Sequence, residues 1–266
     1  MTEYKSNAKI NLMLKVVGVK GNLHLLEMIM VPISIYDIIT IEKNDVFTIE
    51  GMDINLEDNI MYKMFCYLKQ KYKFKDNVKI KINKYIPMQA GLGGGSSNAA
   101  TVLKFVNEEM GLNLSEDEMV ELSKEIGSDV SFFVKNVPAF VEGTGDVVRE
   151  INNFVQMKGI LIFDNDYSST KEVYAKIDDY AFSSPGFKEG YSEIKFVNDL
   201  EKGVSKKMEL KIDTIKKELL KSGAYVALMS GSGGSVFGLY EDWGTLEKAL
   251  ESFKGKYKFV EKFVTL

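Results

Sequence analysis

The sequence predicts an α+β fold in two domains, on three observations. Stretches that alternate polar and apolar residues, the period of strands, are interspersed with stretches of helical period. The texture changes around Asn152-Asn153, which places a boundary between a domain of residues 1–152 and one of residues 153–266. A glycine-rich stretch, Pro87 to Ala100, joins a strand to a helix within the first block. A chain of 266 residues has room for one large domain or two ordinary ones.

Composition narrows the function classes. With 45% hydrophobic and 27% charged residues, the chain reads as soluble and globular. A net charge of −4 argues against nucleic acid, which demands a basic patch. Lysines between Lys69 and Lys84 alternate with apolar residues, as on a strand with a solvated face. The single cysteine, Cys66, makes no intrachain disulfide, argues against a cysteine-based zinc site and reads as a small core residue. The first residues hold no apolar signal core. No run is apolar for about 18 residues; the one from Leu25 to Ile41 is broken by Glu27, Pro32 and Asp37. The expectation is a cytoplasmic protein without nucleic-acid or membrane partner, a monomer or weak homodimer acting on a small molecule.

The elements follow in order. Residues 8–17 alternate, with Ile10, Leu12, Leu14 and Val16 on one face of a strand and Lys9, Asn11, Met13 and Lys15 on the other. Gly18 to Gly21 turn, and His24, the only histidine, stands just beyond. Strands are predicted from Leu25 to Ile35 and from Asp37 to Glu42, separated at Tyr36-Asp37, with a short one from Val46 to Glu50. A helix begins at Glu57-Asp58-Asn59 and runs to Tyr72, with Ile60, Met64, Tyr67 and Leu68 at helical spacing. Val78 to Lys84 alternates as a strand and leads through Ile86-Pro87 into the glycines. A helix is predicted from Asn98 to near Gly111, capped by Ser96 or Ser97. Ser115 and Glu118 form a capping box for a helix that ends at Gly127, which leaves Asp129 just past it. Ala139 to Asp146 is a strand entering a second glycine turn, and residues 147–151 return.

In the second block, Lys158 to Phe163 is a strand and Thr170 to Lys176 a helix. Ser183 to Gly190 is a loop, and Phe196 to Leu200 opens a helical region. A helix follows from Asp213 to Ser222. Tyr225 to Tyr240 reads as strand, glycine turn, strand. A helix from Thr245 to Phe253 and a strand from Tyr257 to Val264 finish the chain.

Four glycines, Gly91, Gly93, Gly94 and Gly95, fall within five positions ahead of a helix. Glycines let a ligand approach the main chain, and the first helical turn offers free N–H groups and the positive end of the dipole. The combination is an anion site, most often for phosphate. It is not a Walker A loop, because no Gly-Lys-Ser/Thr closes it, and the spacing does not fit the dinucleotide fingerprint. Lys9 on a strand, Asp129 after Gly127, and the distant run Ser230-Gly231-Ser232-Gly233-Gly234-Ser235 ask for a joint explanation with it. A phosphate loop with a lysine and an aspartate suggests phosphoryl transfer to an alcohol, with Asp129 accepting the hydroxyl proton and Lys9 offsetting charge.

Pro87-Met-Gln-Ala-Gly-Leu-Gly-Gly-Gly-Ser-Ser-Asn-Ala-Ala resembles the phosphate-loop motif of the GHMP kinases. Ala8-Lys9-Ile10-Asn11-Leu12, Gly127-Ser128-Asp129-Val130, Glu142-Gly143-Thr144-Gly145-Asp146, Phe196-Val197-Asn198-Asp199-Leu200 and Ser230 to Phe237 are similar to further motifs of that family, in its order. The resemblance implies an N-terminal domain like the second domain of ribosomal protein S5, a ferredoxin-like C-terminal domain and an active site between them. It implies that ATP is bound with Mg²⁺ by Pro87, Gly91, Leu92, Gly93, Gly94, Gly95, Ser96, Ser97 and Asn98, with Asn59 beside the adenine and Ser97 on the metal. It implies a catalytic pair, Lys9 and Asp129. Asn11, Leu23, His24, Tyr174, Gly231, Ser232 and Gly233 fall on the acceptor side, which within the family is most similar to that of the branch acting on a cytidine-diphosphate-linked methylerythritol. There His24 faces the cytosine and Tyr174 stands against the base. This chain departs by carrying Gly21-Asn22-Leu23-His24 where Asp-Gly-Tyr-His is usual, Ser131 for a proline and Asp146 for a glutamate. Leu23 offers neither the flat ring nor the phenol of tyrosine. A family member acting on homoserine or a mevalonate derivative, and a catalytically silent nucleotide-binding relative, are the alternatives.

Overall fold

The computed structural model describes residues 2–185 and 194–266. Part of the loop predicted from Ser183 to Gly190 lies outside them. Strands are β1 Thr2–Lys20, β2 Leu23–Asn44, β3 Thr48–Glu50, β4 Asn77–Asn83, β5 Ala139–Gly143, β6 Val147–Glu150, β7 Lys158–Phe163, β8 Val197–Asn198, β9 Val226–Met229, β10 Ser235–Tyr240 and β11 Phe259–Val264. Helices are α1 Ile60–Tyr72, α2 Gly94–Glu109, α3 Glu116–Ser123, α4 Ser128–Lys135, α5 Thr170–Ile177, α6 Lys206–Lys221 and α7 Trp243–Phe253. The chain divides into two compact units interleaved in sequence. One comprises Met1–Ala8, Ile35–Met88 and Gly93–Val137, the other Lys9–Ser34, Gln89–Leu92 and Pro138–Leu266.

In the first unit, the end of β2 pairs antiparallel with β4, from Ile38 opposite Asn83 to Asn44 opposite Asn77. β3 lies parallel to β4, with α1 as the crossover that parallel strands need. The alternation read on β4 is real: Val78, Ile80 and Ile82 are buried, and the residues between them are more open. α1 packs on α2, and α2 and α3 both pack on α4. Aromatic rings fill the space, with Phe65 between Phe47 and Phe74, and Phe132 edge-on to Phe133.

Three expectations are corrected in this unit. β2 is one continuous strand, not two broken at Tyr36-Asp37. A buried aspartate does not break a strand when every charge it carries has a partner, as Asp37 shows below. α2 begins at Gly94 rather than Asn98, with Gly93 as N-cap at φ 66° and no side-chain cap. The left-handed conformation at Gly93 starts the helix four residues early, and Ser96 and Ser97 fall inside its first turns. The third correction concerns the residues after Gly127, which open a further helix: Asp129, past the end of α3 as expected, stands in the first turn of α4. A carboxylate is favourable there beside the positive end of the helix dipole. The capping box is present: Ser115 accepts from the Glu118 N–H while Glu118 accepts from the Ser115 N–H.

In the second unit, β5 pairs antiparallel with the start of β2, Leu26 opposite Gly143, and forms a hairpin with β6. β8 runs parallel to β1 at Met13 and Leu14. The helical region expected from Phe196 is therefore a two-residue strand followed by a 3-10 turn, Asp199–Gly203. A separate antiparallel sheet has the order β11-β7-β10-β9. Counting β7, α6, β9, β10, α7 and β11 as a β-α-β-β-α-β unit, its strands stand in the order 4-1-3-2, the ferredoxin-like arrangement. β10 is buried along its whole length, so it reads as a continuous apolar run rather than an alternation.

Asp199 ties the 3-10 turn to β1. Its carboxylate accepts from the Val16 N–H at 3.0 Å, the Ser183 hydroxyl at 2.6 Å and Lys202 Nζ at 2.9 Å. Burial by itself raises its pKa, but the bonds from Ser183, Lys202 and Val16 outweigh burial and hold the carboxyl below the ordinary range. A depressed carboxyl contributes stability above the unfolded-state value, and that stability is lost as pH falls through the folded-state value.

Two predictions follow from these anchors. Taken from about pH 6 to about pH 3, Asp199→Asn should lose less unfolding free energy than the wild type, as read by urea midpoints; equal losses would show that Asp199 carries no acid sensitivity. Ser115→Ala should cost about 1 kcal/mol in urea unfolding with an unchanged m-value, and an unshifted midpoint would mean that the capping box contributes nothing net.

Candidate functional site

In the second unit, three segments distant in sequence meet through their main chains. Lys9 N donates to Leu92 O at 3.0 Å, and Ser235 N to Ala90 O at 3.1 Å. Ser230 Oγ donates to Gly91 O at 3.0 Å. A Cβ on Gly91, whose φ is +76°, would lie 2.1 Å from Ser230 O, so only glycine fits. The glycine turn between β9 and β10 is thus pressed directly onto the first glycine of the loop.

Lys9 and Asn11 project from β1 into this junction, and both are buried. Lys9 Nζ donates to Asn11 Oδ1 at 2.5 Å, and the Gly231 N–H donates to the same oxygen at 3.1 Å. Asn11 Nδ2 faces the Met28 thioether at 3.6 Å. The Lys9 ammonium lies 3.2 Å from where a Cβ of Gly231 would stand. A cation, a carboxamide and a main-chain N–H therefore share one small region, an arrangement that can take up developing negative charge.

Asn198 holds the turn from behind, donating through Nδ2 to Met229 O at 2.9 Å and Gly231 O at 2.8 Å. Ser232, half-buried, bonds Thr170 at the start of α5 at 2.8 Å, and Gly233 is buried. Asn198 and Thr170 are positioning groups that the sequence did not single out. The only trace of Asn198 was its place in the Phe196–Leu200 motif.

His24, Tyr174 and Leu23 occupy another part of this unit. The His24 and Tyr174 rings meet at 4.8 Å between centroids with a 34° tilt. His24 Nε2 lies 2.9 Å from Asp178 Oδ1. Leu23 is 59% exposed at the start of β2.

In the first unit, α2 carries the remaining loop residues. Gly93, the N-cap, offers no side-chain bond to the orphan donors of the first turn, Gly94, Gly95 and Ser96. Gly95 is exposed, Gly93 and Ser96 half-buried, Pro87 likewise. N–H groups at the positive end of a 16-residue helix fit an anion with several oxygens.

Beneath this turn lies a buried polar chain that the sequence reading missed. Asp37 is fully buried. Its Oδ1 accepts from the N–H groups of Tyr85 and Ile86, each at 2.8 Å. Its Oδ2 accepts from Lys84 Nζ at 2.7 Å and Asn98 Nδ2 at 2.9 Å. Asn98 Nδ2 also donates to Ser6 Oγ at 2.9 Å, and Ser6 Oγ donates to Ser97 Oγ at 2.8 Å. Lys84 Nζ stands 3.1 Å from where a Cβ of Gly94 would be. Burial lowers the Lys84 pKa, with Asp37 opposing that shift. The one signal for Asp37 was a charge interrupting an apolar run. Asn98 Oδ1 is buried without a partner.

Asn59 is buried as the N-cap of α1, its Oδ1 accepting from Met61 N at 2.9 Å and its Nδ2 3.9 Å from the Met52 sulfur. Asp129 is half-buried at the start of α4. Among the described residues, no group of three histidine, cysteine, aspartate or glutamate side chains could cage a metal. Ser97 Oγ, having accepted one bond from Ser6, keeps a lone pair and its own proton. That donor set fits a cation held mostly by phosphate oxygens, not a dedicated protein cage. No helix among the described residues is long and apolar enough to cross a membrane.

The chain matches the model of the GHMP kinases N terminal domain over residues 59–143 and that of the GHMP kinases C terminal region over residues 188–258. It is 36% identical to a 4-diphosphocytidyl-2-C-methyl-D-erythritol kinase of Clostridium perfringens, covering 98% of this chain and 96% of that protein. It is 38% identical to a kinase of the same description from Bacteroides thetaiotaomicron, covering 90% and 92%. Among solved structures, a 4-(cytidine 5'-diphospho)-2C-methyl-D-erythritol kinase superposes with a TM-score of 0.83 over 99% of both chains, and at 24% identity that likeness concerns the fold. A mevalonate kinase of L. major superposes with a TM-score of 0.68 at 14% identity, over 100% of this chain and 96% of that one. Both halves carry the kinase domains, and over a third of residues are identical across nearly the full length of a relative, so this protein belongs to the GHMP kinase family.

Proposed function

We propose that this protein transfers the γ-phosphate of ATP to the 2-hydroxyl of 4-diphosphocytidyl-2-C-methyl-D-erythritol, in isoprenoid precursor synthesis by the non-mevalonate route. The observation that carries the phosphotransfer reading is the junction of Lys9, Asn11 and Gly231 on Gly91 of the glycine loop. The acceptor is supported by the description shared by the relatives at 36% and 38% identity. The ring pair of His24 and Tyr174 supports it too, being the kind of surface that holds a pyrimidine.

In this reading the N–H groups of Gly94, Gly95 and Ser96 bind phosphate oxygens, with Gly91, Leu92, Gly93, Ser97 and Asn98 shaping the loop and Pro87 leading into it. Asn59 lies by the adenine. Asp129 accepts the proton of the attacking hydroxyl. Lys9 neutralises charge on the transferring group, and Asn11, bonded to Lys9 and to the Gly231 N–H, holds that ammonium in place. Gly231, Ser232 and Gly233 border the acceptor's phosphates. Mg²⁺, when bound, would supply charge neutralisation on the ATP phosphates, and Ser97 would help to hold it. The family-level domains are residues 1–152 and 153–266, a division supported by family models that fall on either side of it. The proposed setting is the cytoplasm, and the proposed state a monomer or weak homodimer.

The direct test is turnover of ATP with the cytidine substrate against homoserine and mevalonate. Turnover on one of the latter alone would replace the acceptor, and ATP binding without any turnover would point to a silent relative. Asp129→Asn should lower kcat by about 10²–10⁴-fold with little change in ATP affinity; a near-normal rate would remove Asp129 from the chemistry. Leu23→Tyr should lower KM for the cytidine substrate by restoring a ring at the exposed start of β2. An unchanged or raised KM would mean that the base is held by other groups.

A further inference from the structure

β9 lies at the edge of its sheet, paired with β10. An edge strand presents a row of N–H and C=O groups that the ladder does not use. At Met229, the last residue of β9, both groups are taken from outside the sheet. The N–H donates to Glu201 Oε1 at 3.0 Å, and the C=O accepts from Asn198 Nδ2 at 2.9 Å. Both partners come from one short segment, Asn198 as N-cap of the 3-10 turn Asp199–Gly203 and Glu201 within it. The segment does for this one residue what a neighbouring strand would do. Both side chains are themselves fixed. Asn198 Oδ1 accepts from the Leu200 N–H at 3.0 Å, and Glu201 Oε2 accepts from Lys216 Nζ of α6 at 2.6 Å.

Met229 stands two residues before Gly231. The Gly231 C=O also accepts from Asn198 Nδ2, at 2.8 Å, and its N–H donates to Asn11 Oδ1, which Lys9 Nζ shares. We infer that Glu201 is a positioning residue for phosphoryl transfer: by holding the Met229 N–H it fixes the start of the glycine turn and keeps the Gly231 N–H on Asn11 beside Lys9. The bonds from Asn198 alone would let Met229 pivot about its carbonyl, and the bond to Glu201, on the N–H side, removes that freedom. The turn has little stiffness of its own, because Gly231, Gly233 and Gly234 all stand at positive φ. β1, which carries Lys9 and Asn11, is paired on both sides, by β2 and β8. The turn is therefore the partner that must be held. An ammonium aimed at developing charge loses much of its effect when its neighbours shift by about 1 Å. The kinetic half of this inference rests on the phosphotransfer reading proposed above; the hold on the turn does not.

Exchange and turnover test the two halves separately. In Glu201→Ala, amide hydrogen exchange followed by NMR should quicken about tenfold or more at Met229 and Gly231 relative to Leu161, buried in the central strand β7. With ATP and the cytidine substrate, kcat should fall about tenfold while the KM for ATP stays within about twofold. Glu201→Gln, whose amide oxygen can still accept from the Met229 N–H, should restore most of both. Lys217→Ala, at an exposed position of α6 next to Lys216, should match the wild type. In an Asn11→Ala background the Gly231 N–H has lost its acceptor, so Glu201→Ala should cost at most about a further threefold in kcat. Equal quickening at Met229, Gly231 and Leu161 would mean a general loss of stability and overturn the positioning role. Local quickening with a wild-type kcat, or an undiminished further loss in the Asn11→Ala background, would overturn the link to the chemistry. Wild-type protein that turns over no acceptor would overturn the phosphotransfer reading and the kinetic half with it, and the exchange rates tell that failure apart from a failure of the hold on the turn.

Discussion

The near-contact of two main chains, Gly91 on Ser230, is the constraint on which the second unit's site depends. With 2.1 Å between a would-be Cβ and a carbonyl oxygen, no side chain larger than hydrogen is possible at Gly91. The closeness lets the Ser230 hydroxyl and the Ser235 N–H bond the loop directly. It brings Gly231 up to Asn11 and Lys9 as well. Asn198 then locks the turn by bonding two of its carbonyls, at Met229 and Gly231. A single methyl group at Gly91 would push the turn back, and the ammonium, the carboxamide and the Gly231 N–H would no longer share one region.

A second constraint operates in the first unit, and it is electrostatic. An aspartate in mid-strand with no exposure would be costly alone. Asp37 has four donors, two of them main-chain N–H groups just ahead of the glycine loop. The carboxylate therefore aligns the chain entering the loop, and through Asn98 and Ser6 it reaches Ser97 on the first turns of α2. The N–H groups of that turn are presented on a scaffold whose charge is already balanced by Lys84. Buried ion pairs are weak evidence of stability, but they do impose geometry. Here the geometry is that of a helix start with no side-chain cap of its own.

Much of this was legible in the sequence. Alternation at Val78, Ile80 and Ile82 was visible because one face of β4 is buried and the other is not. The capping box at Ser115 and the glycine loop are local patterns, written in neighbouring residues. The misreadings have a common cause. Tyr36-Asp37 looked like a strand break because the partners that make Asp37 tolerable lie at Lys84 to Ile86 and Asn98, far away in sequence. The start of α2 was placed late because serines are better caps than glycines in general, whereas at Gly93 a left-handed backbone began the helix. The helix that Asp129 opens went unread because α4, of eight residues, is too short to announce itself by periodicity.

The sequence by itself determined the fold class, the phosphate loop and the family, because these rest on short-range patterns of residue type and their order along the chain. Tertiary structure alone decided which groups act together. It made Asn11 the shared acceptor of Lys9 and Gly231, it made Asp37 the anchor beneath the loop, and it gave His24 the partner Asp178, 154 positions away. Hydrogen bonds and ion pairs depend on separations of about 3 Å in space. Residues so distant along the chain reach that separation only once the strands and helices have packed, and no local pattern records it.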